Sequence, residues 1–176
     1  YPFASKNRKD FNNLLDVYLD CVFFPNLDAQ DFAQEGHRLE FEEAANSESK
    51  LTYKGVVYNE MKGAMSSPTS QLWQTLTRYL FPSTTYHFNS GGEPDAIPDL
   101  SYNELLAFHN KHYHPSNAVF MTFGNIPVIE HHKKMQEQAL SQFEKLDHGI
   151  AIKDERRYFS PISIEESYPI PVNEPK

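Results

Sequence analysis

From about residue 9 to residue 23, apolar side chains recur every three or four positions at Phe11, Leu14, Leu15, Tyr18, Leu19 and Val22, while Asn12, Asn13, Asp16 and Asp20 fill the other face. That period places a single apolar stripe on a helix, so the stretch predicts an amphipathic α-helix. Phe24-Pro25 ends it, because a residue preceding proline is pushed out of the helical region. Asp28 is placed to cap a second helix running to about Glu42, with Phe32, Gly36 and Leu39 on one stripe and Gly36 admitting a close neighbour. Residues 44–50, polar and carrying Asn, Ser and Glu, read as a loop. A third helix carries Lys54-Gly-Val-Val-Tyr-Asn-Glu-Met-Lys-Gly-Ala-Met-Ser66. Ser67-Pro68 opens a fourth, with Pro68 in the first turn and Leu72, Leu76, Tyr79 and Leu80 on its inner side.

Residues 81–99 have no helical period and contain two adjacent glycines, Gly91 and Gly92; a loop of this length inside a domain is often functional. Ser101 and Glu104 form a capping box for a helix through Leu105, Phe108 and His112. Pro115-Ser-Asn turns the chain into Ala118-Val-Phe-Met-Thr-Phe123, an apolar run ended by Gly124 that predicts a core strand. Pro127 opens a last helix with Val128, His132, Met135, Ala139 and Phe143 inward. The proline-rich end predicts a strand or two plus linker. Helices outnumber strands but at least one strand is long and apolar, so the fold class is α+β.

The chain has 176 residues, enough for one domain with a sizeable core, and 39% of them are hydrophobic. A net charge of −8, with no Lys/Arg run to displace counterions, argues against a nucleic-acid partner. No apolar run approaches the roughly 18 residues a bilayer span needs, so no membrane role is expected. The lone Cys21 cannot form an internal disulfide, reads as a buried small hydrophobe, and fits a reducing compartment. The start lacks Met and a signal core, which suggests a piece of a longer protein.

Four clusters bear on chemistry. On a helix, Glu60 neighbours Val56, Val57, Gly63 and Ala64, positions three or four residues away that are apolar or very small. A carboxylate in such dry surroundings would be costly unless a cation, donors or a metal compensates it. Spacing alone leaves two roles open for it, a structural carboxylate answering an arginine or backbone donors, and a ligand or catalytic acid. His109, His112 and His114 have one spacing compatible with metal ligation, but helix termination and packing are the simpler account of them. Glu130-His131-His132 lacks the partner histidine of a zinc helix, because Pro127 stands in that place, and reads as solvated helix surface with His132 partly packed. The Ser90-Gly-Gly-Glu93 loop offers backbone donors to a phosphate, yet has neither a following lysine nor a clear preceding strand.

Several stretches together resemble one family. Gly55-Val-Val-Tyr-Asn-Glu-Met-Lys-Gly63 is similar to the zinc-ligand motif of pitrilysin-type, or insulinase-like, metallopeptidases, and within them to the presequence protease branch. Tyr1-Pro-Phe-Ala, Lys9-Asp-Phe-Asn-Asn-Leu-Leu, Val17-Tyr-Leu-Asp, Gln34-Glu-Gly-His-Arg-Leu-Glu, Ser90-Gly-Gly-Glu-Pro and His112-Tyr-His-Pro-Ser-Asn-Ala resemble that branch in the same order. The likeness covers about residues 1–147.

The resemblance implies a catalytic Zn2+ held by two histidines of an inverted His-x-x-Glu-His helix and by a later glutamate, which Glu60 matches. In that family the metal activates a water and the glutamate of the inverted motif is the general base. No His-x-x-Glu-His or His-Glu-x-x-His occurs in this sequence, so no catalytic residue is assigned here and Glu60 is the single implied metal ligand. The implied fold is part of an antiparallel sheet flanked by helices, a pitrilysin-type (LuxS-like metallohydrolase) α+β domain incomplete at its N-terminus. Residues 1–147 would be the latter part of the first such domain, and residues 148–176 a strand or linker toward the next.

The implied partners are unfolded peptide substrates and the remaining domains of the full-length protein. The implied setting is a bacterial cytoplasm or, in a eukaryote, the mitochondrial matrix or another organelle. This segment alone is expected to be inactive. The alternative is a non-catalytic, structural or peptide-holding subunit of the same fold; a small independent metal module built on His109, His112 and His114 is a further alternative.

Overall fold

Asn7 starts the first element: its side-chain oxygen accepts the backbone N–H groups of Lys9 at 2.9 Å and Asp10 at 3.2 Å, satisfying two of the donors a helix start leaves free. The computed structural model describes residues 1–147 and 149–168. Helix α1 spans Arg8–Phe23, as its apolar period predicts. Asp28 caps the short α2, Ala29–Asp31, through the Gln30 amide at 2.7 Å, and the chain widens into a π-helical turn over Phe32–Gly36. The second helix therefore stops at Gly36 rather than near Glu42. Beyond it β1, Arg38–Phe41, pairs antiparallel with β2, Leu51–Lys54, in the register Arg38↔Lys54 to Phe41↔Leu51. The predicted loop joins the two strands. Glu40 lies below the usual carboxylate range, first through its hydrogen bond from Arg38 and then through Lys54.

Then follow α3, Val56–Ala64, α4, Pro68–Leu80, α5, Tyr102–His112, and α6, Val128–Gln138, with 3-10 turns at Thr85–His87, Ile97–Asp99, Pro115–Asn117 and Leu140–Gln142. Six helices and one antiparallel strand pair among the described residues make the fold class α+β. No helix among the described residues is long and apolar enough to cross a membrane. The chain divides into two units.

The first unit joins Tyr1–Phe32 to Leu100–Ala151. Its core is Leu15, Leu19 and Phe23 of α1 against Met135 and Ala139, flanked by Phe3, Phe11 and Phe143; each such large side chain, once buried, contributes about 1.5–3 kcal/mol. On α6 the inward face is His131, Met135 and Ala139, while His132 and Val128 are exposed. Met135, Ala139 and Phe143 pack inward as predicted, but His131 takes the place given to His132, its ring edge-on against Phe11 with centroids 5.6 Å apart. Cys21, expected inside, is exposed.

Residues 118–123 are not a strand: Val119, Met121 and Phe123 are 94%, 91% and 101% exposed, and only Phe120 leans toward Phe23, with centroids 6.1 Å apart. A strand requires a neighbouring backbone, and no described residue supplies one here. Helix α5 has the capping box, with the Ser101 amide donating to Glu104 at 2.7 Å. The Ser101 hydrogen bonds also hold the Glu104 carboxyl below its ordinary range.

The second unit holds Ala33–Asp99 and the tail after residue 151. Here α4 presents the face opposite to the predicted one. Leu72, Trp73, Leu76 and Leu80 are 69%, 66%, 44% and 47% exposed, and the buried residue of the helix is Gln74. The packed face is polar because it binds a loop. Gln74 Nε2 donates to the His87 carbonyl at 3.3 Å and Gln71 Nε2 to that of Met65 at 2.8 Å, while Arg78 meets Glu93 at 3.4 Å. The tail lies along the same helix: Tyr158 donates to the Tyr79 carbonyl at 2.6 Å and Tyr168 to that of Ser66 at 3.0 Å. None of residues 149–168 is in a strand; the rest of the tail expectation, at residues 148 and 169–176, lies outside the described residues.

Candidate functional site

Helix α3 follows β2 after the single residue Gly55, which is buried and serves as its N-cap without a side chain to satisfy the helix donors. The Gly55 backbone is extended, which any residue can adopt; what glycine provides is space. A Cβ there would lie 2.0 Å from the Gly36 carbonyl oxygen and 2.9 Å from the His37 Cα. The Asn59 amide donates to the Gly55 carbonyl at 3.0 Å, closing the first turn.

Glu60 stands on the outer face of this helix and is exposed. Val56 beside it is 52% exposed, and a Cβ added at Gly63 would meet no atom within 4 Å. The dry surroundings expected from the sequence are therefore absent around Glu60 among the described residues. Of the small and apolar neighbours, Val57 is half-buried while Val56, Gly63 and Ala64 are exposed, so burial in this segment does not by itself require a compensating ion. Neither does Glu60 answer an arginine: among the described residues it has no hydrogen bond or ion pair. Lys62 turns aside, with its Nζ 6.0 Å from the centre of the Tyr58 ring.

The inner face of α3 holds Val57, Tyr58 and Met61, each half-buried. Asn89 places its Nδ2 3.5 Å from the Met61 sulfur and donates to the Gly92 carbonyl at 2.9 Å. A Cβ at Gly91 would lie 2.2 Å from that sulfur. Gly92 has a φ of 94°, in the left-handed region that favours glycine. In the sequence this loop offers backbone donors to a phosphate; what lies against Gly91 in the structure is the Met61 side chain. Neither Met61 nor Asn89 was singled out in the sequence, where Met61 reads as one more apolar residue.

The three histidines of the α5 end each have separate work. His109 Nε2 lies 3.0 Å from the Val22 carbonyl and its ring stacks on Tyr113 with centroids 4.6 Å apart. His112 stacks on Phe108 at 4.3 Å. His114 accepts the Ser116 amide on Nδ1 at 3.1 Å and sets its edge against Phe143. Packing and helix termination account for all three, which weighs against the independent metal module.

A zinc ion takes oxygen, nitrogen or sulfur donors, usually three from protein in a catalytic site. Glu60 fits one such place, as an exposed carboxylate that no cation among the described residues pairs with. Among the described residues no group of three or more His, Cys, Asp or Glu is arranged to hold a metal, so the donor set here is a single oxygen ligand.

Residues 99–175 match the family described as Peptidase M16 inactive domain. The chain is 50% identical over 161 residues to the mitochondrial presequence protease of Xenopus tropicalis, covering 92% of this chain and 16% of that protein. The same named protein of Mus musculus is 47% identical over 161 residues, again 92% of this chain and 16% of the relative. Protein HypA of Clostridium perfringens is 44% identical over 162 residues, or 91% and 16%. The chain thus spans about 16% of the length of these relatives.

Proposed function

We propose, from the premise that this chain belongs to the M16 peptidase family, that it is a segment of a zinc-dependent endopeptidase acting on unstructured peptides, in which Glu60 is one of the protein ligands of the metal. The observation that carries the reading is the 50% identity, sustained over 92% of this chain, to a protein named a presequence protease. The Glu60 carboxylate, exposed on α3 and without a hydrogen bond or ion pair among the described residues, supports it, since a ligand contributed to a shared site must project away from its own segment's packing. In this reading residues 1–147 form the latter part of the first α+β domain. In the same reading the passage to the next domain lies within residues 148–176.

When bound, the metal supplies an activated water and polarises the peptide carbonyl. The work of this chain is to hold one anionic oxygen donor at a fixed place, and the general base and the imidazole ligands come from outside it. Substrates are extended peptides such as cleaved targeting sequences. The setting is a reducing compartment, the matrix of the mitochondrion, the organelle that the names of several relatives print, or a bacterial cytoplasm.

A second reading is favoured by one observation, the match to a domain described as inactive. Under it the full-length protein holds peptides or supports assembly without cleaving them. The two readings separate on purified full-length protein given an unstructured peptide. Cleavage that a chelator stops and zinc restores, and that Glu60→Gln abolishes, is the expected result. A zinc-free protein without cleavage supports the second reading.

A further inference from the structure

We infer that Gly55 and the Met61–Gly91 contact are positioning elements for Glu60: they fix the place and rotation of α3 so that the carboxylate stands where a metal can use it. The inference rests on the reading of Glu60 as a ligand.

Metal–ligand distances tolerate only about 0.2 Å of variation, whereas α3 has just nine residues and no side-chain cap. Such a short helix is marginal alone and takes its position from what it packs against. Among the described contacts of this one, which include the Tyr58 ring against Tyr53 at 6.1 Å, two bear on where Glu60 stands. At its start, Gly55 crosses the Gly36–His37 backbone so closely that a Cβ would lie 2.0 Å from a carbonyl oxygen, and neither partner is a side chain that can swing away. One residue beyond Glu60, the Met61 thioether sits over Gly91, where a Cβ would come within 2.2 Å of the sulfur, and Asn89 Nδ2 closes on the same sulfur at 3.5 Å. The first contact sets where the helix begins, and the second sets its rotation about its axis. Adjacent residues on a helix project about 100° apart, so seating Met61 inward holds Glu60 on the neighbouring, open face.

The two contacts differ in what they tolerate. Carbon atoms in contact prefer about 3.5–4.0 Å, so Gly55→Ala forces the whole start of α3 to move by on the order of 1 Å. Gly91→Ala meets the flexible end of a methionine, which can turn away; the helix start stays, and only the rotational hold is lost.

The experiment uses the full-length protein loaded with Co2+ in place of zinc, with affinity read by chelator competition, coordination by the visible absorption spectrum, and folding by circular dichroism. Gly91→Ala and Met61→Ala each weaken Co2+ binding by about 10-fold and change the absorption intensity without changing the circular dichroism. Together they are no worse than the more severe of the two alone, because the added methyl no longer has a sulfur to displace. Gly55→Ala has a larger effect, and the two milder variants decide the matter even if it does not fold. Glu60→Gln separates the levels. If it leaves Co2+ affinity unchanged, the reading of Glu60 as a ligand fails. If it weakens affinity while Gly91→Ala and Met61→Ala stay within about twofold of wild type, or if their effects simply add, the positioning inference is overturned alone.

Discussion

Glu155 accepts the Ser83 hydroxyl at 2.7 Å, and the Ser83 and Thr84 amides reach the same carboxylate at 3.0 and 3.1 Å. The tail is thereby fastened to the turn that follows α4. Burial alone would raise this carboxyl, but the donors of Ser83, Arg156 and Thr84 outweigh it and lower it from 4.5 to about 2. A carboxyl lowered in the folded state stabilises it fully above its unfolded value, and the contribution is lost as pH falls through the folded value. The contact is accordingly complete at pH 5 and above and disappears on acidification from about 4.5 toward 2. Hydrogen-exchange protection factors of the Ser83 and Thr84 amides follow that profile, and Glu155→Gln removes the dependence. Protection independent of pH would show that Glu155 does not hold the tail.

Helix α5 depends on its capping box. Ser101→Ala removes the side-chain acceptor of the Glu104 amide, a change that costs about 1 kcal/mol. Exchange protection in the first turn of α5 falls accordingly, whereas Ser101→Thr retains most of it. Equal protection in the alanine and threonine variants would contradict the role given to the hydroxyl.

The segment expressed alone self-associates. Val119, Met121 and Phe123 lie almost wholly exposed on a run whose backbone has no ladder partner among the described residues, the arrangement that invites pairing between chains. Met121→Lys raises the concentration at which the segment leaves the monomeric state in sedimentation velocity. An unchanged association profile would place the sticky surface elsewhere, for instance on the exposed leucines of α4.

How far these features were legible varies with how local their causes are. The α1 stripe is complete within the helix, so Leu15 and Leu19 were legible as inward, while Phe23 and the Asn7 cap were not singled out; the Ser101–Glu104 box carries its capping chemistry in the sequence. The strands 38–41 and 51–54 were missed because four residues of alternation are too few to outweigh a helical pattern that runs through Gly36. Gly36 was legible as a close approach, but its partner Gly55 lies nineteen residues on. The orientation of α4 was misread because its polar face binds the 85–93 loop, which hydrophobic periodicity does not register. Residues 118–123 have the composition of a core strand, but strand formation needs a neighbour that composition cannot provide. Glu60 was found through the small and apolar residues around it; their type is visible in the sequence, and whether anything covers them is not.

The histidines at the end of α5 serve packing rather than metal binding. Substituting His109, His112 and His114 together leaves the zinc content of the full-length protein unchanged, although loss of the His109–Val22 contact, 3.0 Å in length, lowers its thermal stability. Loss of zinc in the folded triple variant would restore the metal-module alternative.

The central claim is that Glu60 donates an oxygen to a zinc ion whose other ligands lie outside this segment. The most direct test is zinc per polypeptide, by elemental analysis, in the folded full-length protein and in its Glu60→Gln variant after the same mild chelator wash. The account predicts a stoichiometric ion in the first and strong depletion in the second. Full zinc retention by Glu60→Gln would contradict it.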